Sequence, residues 1–500
     1  MISEVVDNTS GTTMFDENQF PLSHCEAEHL VTTIKLGPSA WGLEEIGSSR
    51  WLENHAVLER LNKEAHAQAV DGTDEFVKDI FVREDRIKDL IGELILIWTW
   101  KSRVYPLISS KLSKLSSLRN YVPLYHEATV VNLIEVSLPS MSHADGVEAA
   151  GDTTVDLVDY CASKLASLLQ LHTKLAEQSK KLSLESPDDR RQRLISQSDE
   201  DVLESQYDEI EFQVCMCALS IVRFLCEHRA HCPLTLTTRL LETHDLLMTL
   251  VPLLEAAPWI RKTPTGQLEK FEEHQWRPLH GGSGPVRMPK AQGQVWLSIY
   301  QLLMDPVCRQ QYSLQSQCRV DNLLRYLNEA VFEELPFLSV LLRALEELAI
   351  SGQMVAGVGD NSSGPFGGLS MSSGAANAFS VELVAEIIES LKTKYRGKWK
   401  ETAERQLAAM VAADKNDGPE DLKKLSKMVS IPDEWRLAIE ENSGDLQTPK
   451  CPQCGKDADQ RCTRCKREFY CSRECQVAHW RVHRERCQEA PISEATCAGS

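Results

Sequence analysis

The chain has 500 residues, 42% of them hydrophobic and 25% charged, a balance that belongs to globular proteins. That length allows roughly two to four folding units and a large core. The formal net charge of −19 repels phosphate backbones and anionic lipid, which argues against nucleic acid as a partner of the whole chain.

The N-terminus, MISEVVDNTSG, lacks the basic-then-apolar order of a signal peptide. A cytosolic or nuclear chain is therefore expected, with its thiols reduced. Residues 1–20 read as a disordered polar tail, and residues 21–350 as a helical body. Within the body Ile87, Leu90, Ile91, Leu94, Ile95 and Trp98 recur at helical spacing. The stretch 87–100 is the most apolar of the chain, yet Asp89 and Glu93 interrupt it, and it is too short for a membrane span. Val158, Cys161, Ala162, Leu165 and Leu169 repeat the helical pattern, as do Phe212, Cys215, Met216, Leu219 and Val222. Residues 323–349 predict two short helices broken near Pro336. Sustained alternation is scarce, so no sheet is expected. The fold class is all-α: an irregular helical bundle or an armadillo/HEAT-like stack, with a small cysteine-rich finger at the C-terminus.

Polar stretches divide these helices. Residues 183–201, SLESPDDRRQRLISQSDED, favour a solvated connector. Residues 351–378 hold seven glycines and many serines and predict a flexible insert. A helical segment is expected over 379–442, a linker over 443–450, the cysteine-rich finger over 451–487, and a tail over 488–500.

Weaker patterns carry bland readings. Cys215, Cys217, Cys226, His228, His231 and Cys232 are irregularly spaced on an apolar helix face, and read as core side chains rather than a metal site. His126-Glu127 starts a metalloprotease-like HExxH, but position 130 is Val. NHAVLERL (54–61) shares only Asn-His with the methyltransferase segment that accompanies some cysteine-rich fingers, and sits in a helical pattern. No phosphate-binding loop or nucleophile elbow is present, and no enzyme activity is expected.

The C-terminal cluster is different in kind. Its spacing is Cys451-x2-Cys454, x7, Cys462-x2-Cys465, x5, Cys471-x3-Cys475, x7, His483-x3-Cys487. Structural zinc takes four such ligands in a tetrahedron, so eight in four close pairs imply two ions. The pairs can combine in sequence order, or interleave so that pairs one and three share one ion. So small a segment has too little apolar area to fold alone, and zinc would supply its folding energy. His479 is a ninth candidate, read as exposed or as a donor behind the ligands. Both ions would be fully ligated by protein, leaving no open position for a catalytic water. The segment holds nine Lys or Arg and five Asp or Glu, a side-chain balance of +4. Seven thiolates and two zinc ions reduce this to +1, too little for a strong phosphate footprint. Gln476 and Trp480 are four apart, so they share a helix face, and an amphipathic ring beside an amide suits an extended, proline-containing peptide.

The C-x2-C-x7-C-x2-C order, the FYCSRECQ stretch and the W-x2-H-x3-C ending resemble a MYND zinc finger. The resemblance implies interleaved sites: Cys451, Cys454, Cys471 and Cys475 on one ion, and Cys462, Cys465, His483 and Cys487 on the other. It also implies a peptide groove lined by Gln476 and Trp480. Body segments add a closer resemblance. They are EIGSSRWLENHAVLERLN (45–62), WTWKSRVYP (98–106), HEATVVNLIE (126–135), DLVDYCASKL (156–165), GQVWLSIYQLLMDP (293–306) and RGKWKETAERQL (396–407). They are similar to a family of MYND-finger proteins that act in the cytoplasmic preassembly of inner and outer axonemal dynein arms for motile cilia. The glycine-serine insert departs from that family's pattern. The resemblance implies a non-enzymatic adaptor that works with chaperones, co-chaperones and dynein-arm assembly factors. One of these is a leucine-rich-repeat partner engaged through the finger, and axonemal dynein chains are the clients. It further implies a cytoplasmic location, at the centrosome, centriolar satellites or dynein-assembly particles. A nuclear corepressor adaptor is the competing expectation, since other MYND proteins recruit transcriptional regulators. The acidic body and the lack of a dense basic import run weigh against it.

Overall fold

The computed structural model describes residues 22–414 apart from breaks at 73, 113–114, 116, 140–144, 184–197, 264–265, 273–274, 280–286, 307, 309–316 and 352–383. Near the C-terminus it describes 451–454, 456, 460–461 and 469–484. The terminal tails, most of the connector expected over 183–201, nearly all of the Gly/Ser insert, the later part of the 379–442 segment and the 443–450 linker lie outside the described residues. The chain divides into two compact units, one ending at Asn416 and the other starting at Asp417.

The first unit is helical, and its helices follow the apolar spacing. They run α1 His24–Thr33, α2 Ser49–Asp71, α3 Phe76–Arg83, α4 Ile87–Arg103, α5 Tyr105–Leu112, α6 Ser117–Ser137, α7 Asp145–Ala150, α8 Thr154–Ser183 and α9 Asp199–Glu227. Then come α10 Leu234–Thr238, α11 Leu247–Ala256, α12 Lys290–Met304, α13 Gln317–Tyr326, α14 Glu329–Glu334, α15 Leu338–Ser351, α16 Glu386–Lys394 and α17 Trp399–Asp414. Local signals set the ends. The Ser48 hydroxyl accepts from the Trp51 amide at the start of α2, and Gly72, at φ +62°, closes it in a left-handed turn. Ser198 and Asp201 form a reciprocal capping box at the start of α9. The break expected at Pro336 separates α14 from α15, and a further break before Asn328, whose side chain caps α14, gives three helices where two were expected.

The centre is built on α6 and α9. Helix α6 packs on α2, α4 and α9, and α9 also packs on α8 and α12. Trp51, Trp100, Trp259 and Trp296 are fully buried. A polar cluster joins four of these helices inside the core. Lys101 of α4 and Lys164 of α8 both contact Glu127 of α6 and Glu211 of α9, and the Tyr160 hydroxyl donates to Glu127 at 3.0 Å. Burial alone would push the Glu211 carboxyl up, but the two ammonium groups outweigh it and hold it at about 2.

A small sheet is the departure from the all-helical expectation. Strands β1 Ile260–Lys262, β2 Leu268–Glu272 and β3 Gln275–Pro278 pair antiparallel in that order, with Ile260 opposite Lys270 and Phe271 opposite Trp276. Phe212 of α9 meets Phe271 edge-on at 5.0 Å and stacks with Trp276 at 5.3 Å. The sheet is therefore an appendage docked on a helix, and the class stays helical.

Helices α16 and α17 turn at Gly397 (φ +75°) and close back on the N-terminal part of the unit. The Gln406 amide accepts from Trp100 Nε1 and donates to the Ile46 carbonyl, both at 2.8 Å. The Tyr395 hydroxyl accepts from the Leu43 amide at 3.0 Å, and Asp156 of α8 accepts from the Ile388 amide at the start of α16. Among the described residues no helix is long and apolar enough to cross a membrane.

Candidate metal centre and peptide face

The described residues of the C-terminal unit form a short turn, a hairpin and one helix. Cys451 is buried, and its amide donates to the Lys456 carbonyl at 2.7 Å, closing the turn that holds Cys454. Strands β4 Gln460–Arg461 and β5 Phe469–Tyr470 pair antiparallel, so β5 delivers Cys471 directly. Ser472 caps helix α18, Arg473–His483, by accepting from the Cys475 amide at 3.3 Å, which sets Cys475 in the first turn.

These pieces bring four sulfurs together. Those of Cys451, Cys454, Cys471 and Cys475 all lie within 4.8 Å of one another. Cys454 and Cys471 are 3.3 Å apart, and Cys471 and Cys475 are 3.5 Å apart. A tetrahedron with Zn–S bonds of about 2.3 Å separates its sulfurs by about 3.8 Å, so one zinc ion fits this group. The donor chemistry fits as well. The neighbouring thiols of Cys454 and Cys475 push Cys471 up to about 12. At Cys451 desolvation works upward, yet the amides of Cys471, Gln453 and Cys454 bring the thiol down to about 6. Zinc binds the thiolate form, so metal binding at this group would release protons. The grouped residues are the first and third pairs of the sequence pattern.

Of the second expected set, His483 is buried on the last turn of α18, while Cys462, Cys465 and Cys487 lie outside the described residues. His479 bonds the Tyr470 hydroxyl through Nδ1 at 3.1 Å. Tyr470 is itself buried and meets the His483 ring edge-on at 6.1 Å. This aromatic centre escaped the sequence reading; its signal was the apolar Phe-Tyr pair just before Cys471. Gln476 is half-buried and Trp480 is 37% exposed, its ring 5.8 Å from that of His483.

Cys215, Cys217 and Cys226 are core side chains as expected, but His228 and Cys232, beyond the end of α9, are only half-buried and His231 is exposed, its Nδ1 2.9 Å from Glu148. Burial pushes the Cys226 and Cys232 thiols up to about 12, and no second metal-type group forms among the described residues. His126 and Glu127 are buried in α6. His126 Nε2 bonds Glu93 at 3.0 Å and its Nδ1 meets His55 Nδ1 at 2.8 Å, while Glu127 belongs to the ionic cluster. Residues 54–61 lie inside α2.

A family model for the MYND finger matches residues 451–487. The chain is also similar to the zinc finger MYND domain-containing protein 10 homolog of Drosophila melanogaster. The two are 25% identical over 466 residues, covering 89% of this chain and 95% of the relative. No solved structure matches.

Proposed function

We propose that this MYND-finger protein, similar to its fruit-fly relative along most of its length, is a non-enzymatic adaptor for the cytoplasmic preassembly of inner and outer axonemal dynein arms. In this reading the helical body scaffolds assembly factors, chaperones and dynein chains. The finger holds a partner peptide against Gln476 and Trp480. Two zinc ions fold the finger, one on Cys451, Cys454, Cys471 and Cys475, the other on Cys462, Cys465, His483 and Cys487.

The observation that carries the peptide role is the exposure of Trp480 beside Gln476 on a helix whose core is already supplied by Tyr470 and His483. A tryptophan needed only for packing would be turned inward in so small a unit. The dynein assignment rests on the likeness of the whole chain, body included.

The test is affinity purification from ciliating cells, comparing the intact protein with Trp480→Ala and identifying bound proteins by mass spectrometry. Dynein chains, chaperones and assembly factors are expected, with a subset lost in the variant while its zinc content is unchanged. Recovery of chromatin regulators without dynein components would replace this reading with the nuclear corepressor. Loss of zinc from the variant would make Trp480 a packing residue.

A further inference from the structure

We propose that the segment taken by the finger is acidic as well as proline-containing, and that Arg473, Arg481 and Arg484 select it. This rests on the peptide-platform reading of Gln476 and Trp480. At 3.6 residues per turn, Trp480, Arg473, Arg484 and Val477 fall within an arc of about 60° on α18, with Gln476 and Arg481 flanking it. The three arginines are exposed, as is Val477 at 67%. Glu474 is the one acid on the described helix, and it lies about 120° round from Trp480. The face is thus an apolar ridge edged by guanidinium groups.

Helix stability does not account for this arrangement. Arg481 and Arg484 at the C-terminal end complement the helix dipole, but Arg473 occupies the first turn, where a cation is unfavourable. Arg473 stands two residues from both Cys471 and Cys475, so its charge offsets the thiolates there, and its exposure leaves the guanidinium open to a partner. With its thiolates and two zinc ions counted the finger balances to only +1, and without the finger's side-chain +4 the remainder of the chain carries −23, so the attraction is local to the arginines. Within a Debye length the three exposed arginines attract an acidic segment of another protein and disfavour a basic one, against the long-range field of a chain of net charge −19. Arginine also suits carboxylates by pairing with them in a planar fork.

The experiment uses the full chain with zinc bound and two labelled short peptides centred on proline, one flanked by glutamates and one by glutamines. Fluorescence anisotropy at about 0.15 M salt, where the field of the acidic body is screened beyond about 8 Å, is expected to give about tenfold tighter binding of the glutamate peptide, from three exposed charge pairs. The advantage should shrink as salt shortens the Debye length. Arg473→Glu with Arg481→Glu and Arg484→Glu should abolish it while zinc content and glutamine-peptide binding persist. Arg473→Gln alone relieves the helix end, so it should fold and still cut the preference about twofold. Trp480→Ala should weaken both peptides. Equal affinity for the two peptides, both lost in Trp480→Ala, would overturn the acidic preference and leave the platform standing. Binding of neither peptide would overturn both. Tighter binding of a single-stranded oligonucleotide than of the glutamate peptide would assign the basic face to nucleic acid instead. Self-association of the chain that the charge-reversed variant abolishes would make a second copy the partner.

Discussion

Replacing Glu211 with leucine leaves two buried ammonium groups to share Glu127 alone. The Lys101 and Lys164 side chains are only 2% and 4% exposed, so neither can turn to water for relief. Glu211 meets Lys164 at 2.7 Å and Lys101 at 2.9 Å. With an effective dielectric constant of about 20, each contact is worth about 5–6 kcal/mol before desolvation is charged against it. Breaking such a group by removing one partner typically costs about 3–5 kcal/mol. Domains are stable by only about 5–15 kcal/mol in all, so the variant should sit near the edge of folding. Urea unfolding followed by tryptophan fluorescence measures the loss. A second variant, Glu211→Leu with Lys164→Met, removes one whole pair and leaves Lys101 facing Glu127. It should recover most of the stability, because exchanging a buried pair for apolar side chains is neutral or favourable by about 1–4 kcal/mol. A loss under about 1 kcal/mol in the single variant, or a double variant whose loss equals the sum of the two singles, would refute the reasoning.

Metal analysis of the reduced, freshly purified chain is expected to give two zinc ions, and Cys471→Ala should lower that number and unfold the finger while leaving the circular dichroism of the helical body. Collapse of the body in that variant would contradict the division into two units. Acid should destabilise the body. Glu211 is held at about 2 against an ordinary 4.5. Burial works upward on Asp159, but hydrogen bonds from Arg239 and His244 hold it at about 2 against 3.8. Both contributions are fully present above the ordinary values and are lost as pH falls from about 4.5 through 2. Asp156, raised by burial to about 6, works oppositely and is relieved on acidification. A urea midpoint that stays level or rises from pH 4.5 to 2 would mean that the two depressed carboxyls do not govern acid stability.

The helices were legible because their apolar spacing reports burial directly: Ile87, Leu90, Ile91, Leu94 and Ile95 are all buried on α4. The sheet was not. Its strands are three to five residues long, too short to display a period, and Phe212, which anchors Phe271 and Trp276, stands in a helix far back in the chain. The ionic cluster was hidden for another reason. Lys101, Glu127, Lys164 and Glu211 occupy core-facing positions, whereas a lone charged residue reads as a solvated one until its partners on other helices are known. The finger showed the opposite balance. Ligand spacing is local and was plain in the sequence, but the bond between Tyr470 and His479 depends on where the β4–β5 hairpin sets the ring.

The placement of one helix connects the metal chemistry to the peptide face. Cys475 lies in the first turn of α18 and its sulfur belongs to the four-sulfur group, while His483 lies on the last turn, buried against Tyr470. They stand eight positions apart, about 12 Å along the axis. An isolated helix of eleven residues is marginal in water, so α18 depends on what grips its ends. Under the proposed ligand sets each end is gripped by a different ion, and the residues between them, Gln476 and Trp480, are presented on a rod fixed at both ends. Interleaving makes that possible: sequential pairing would put both ends of the helix on the same ion, across a span that two ligands of one tetrahedron, about 4 Å apart, cannot cover. The exposed face then owes its rigidity to zinc, and stripping either ion should weaken peptide binding even though no metal touches the peptide.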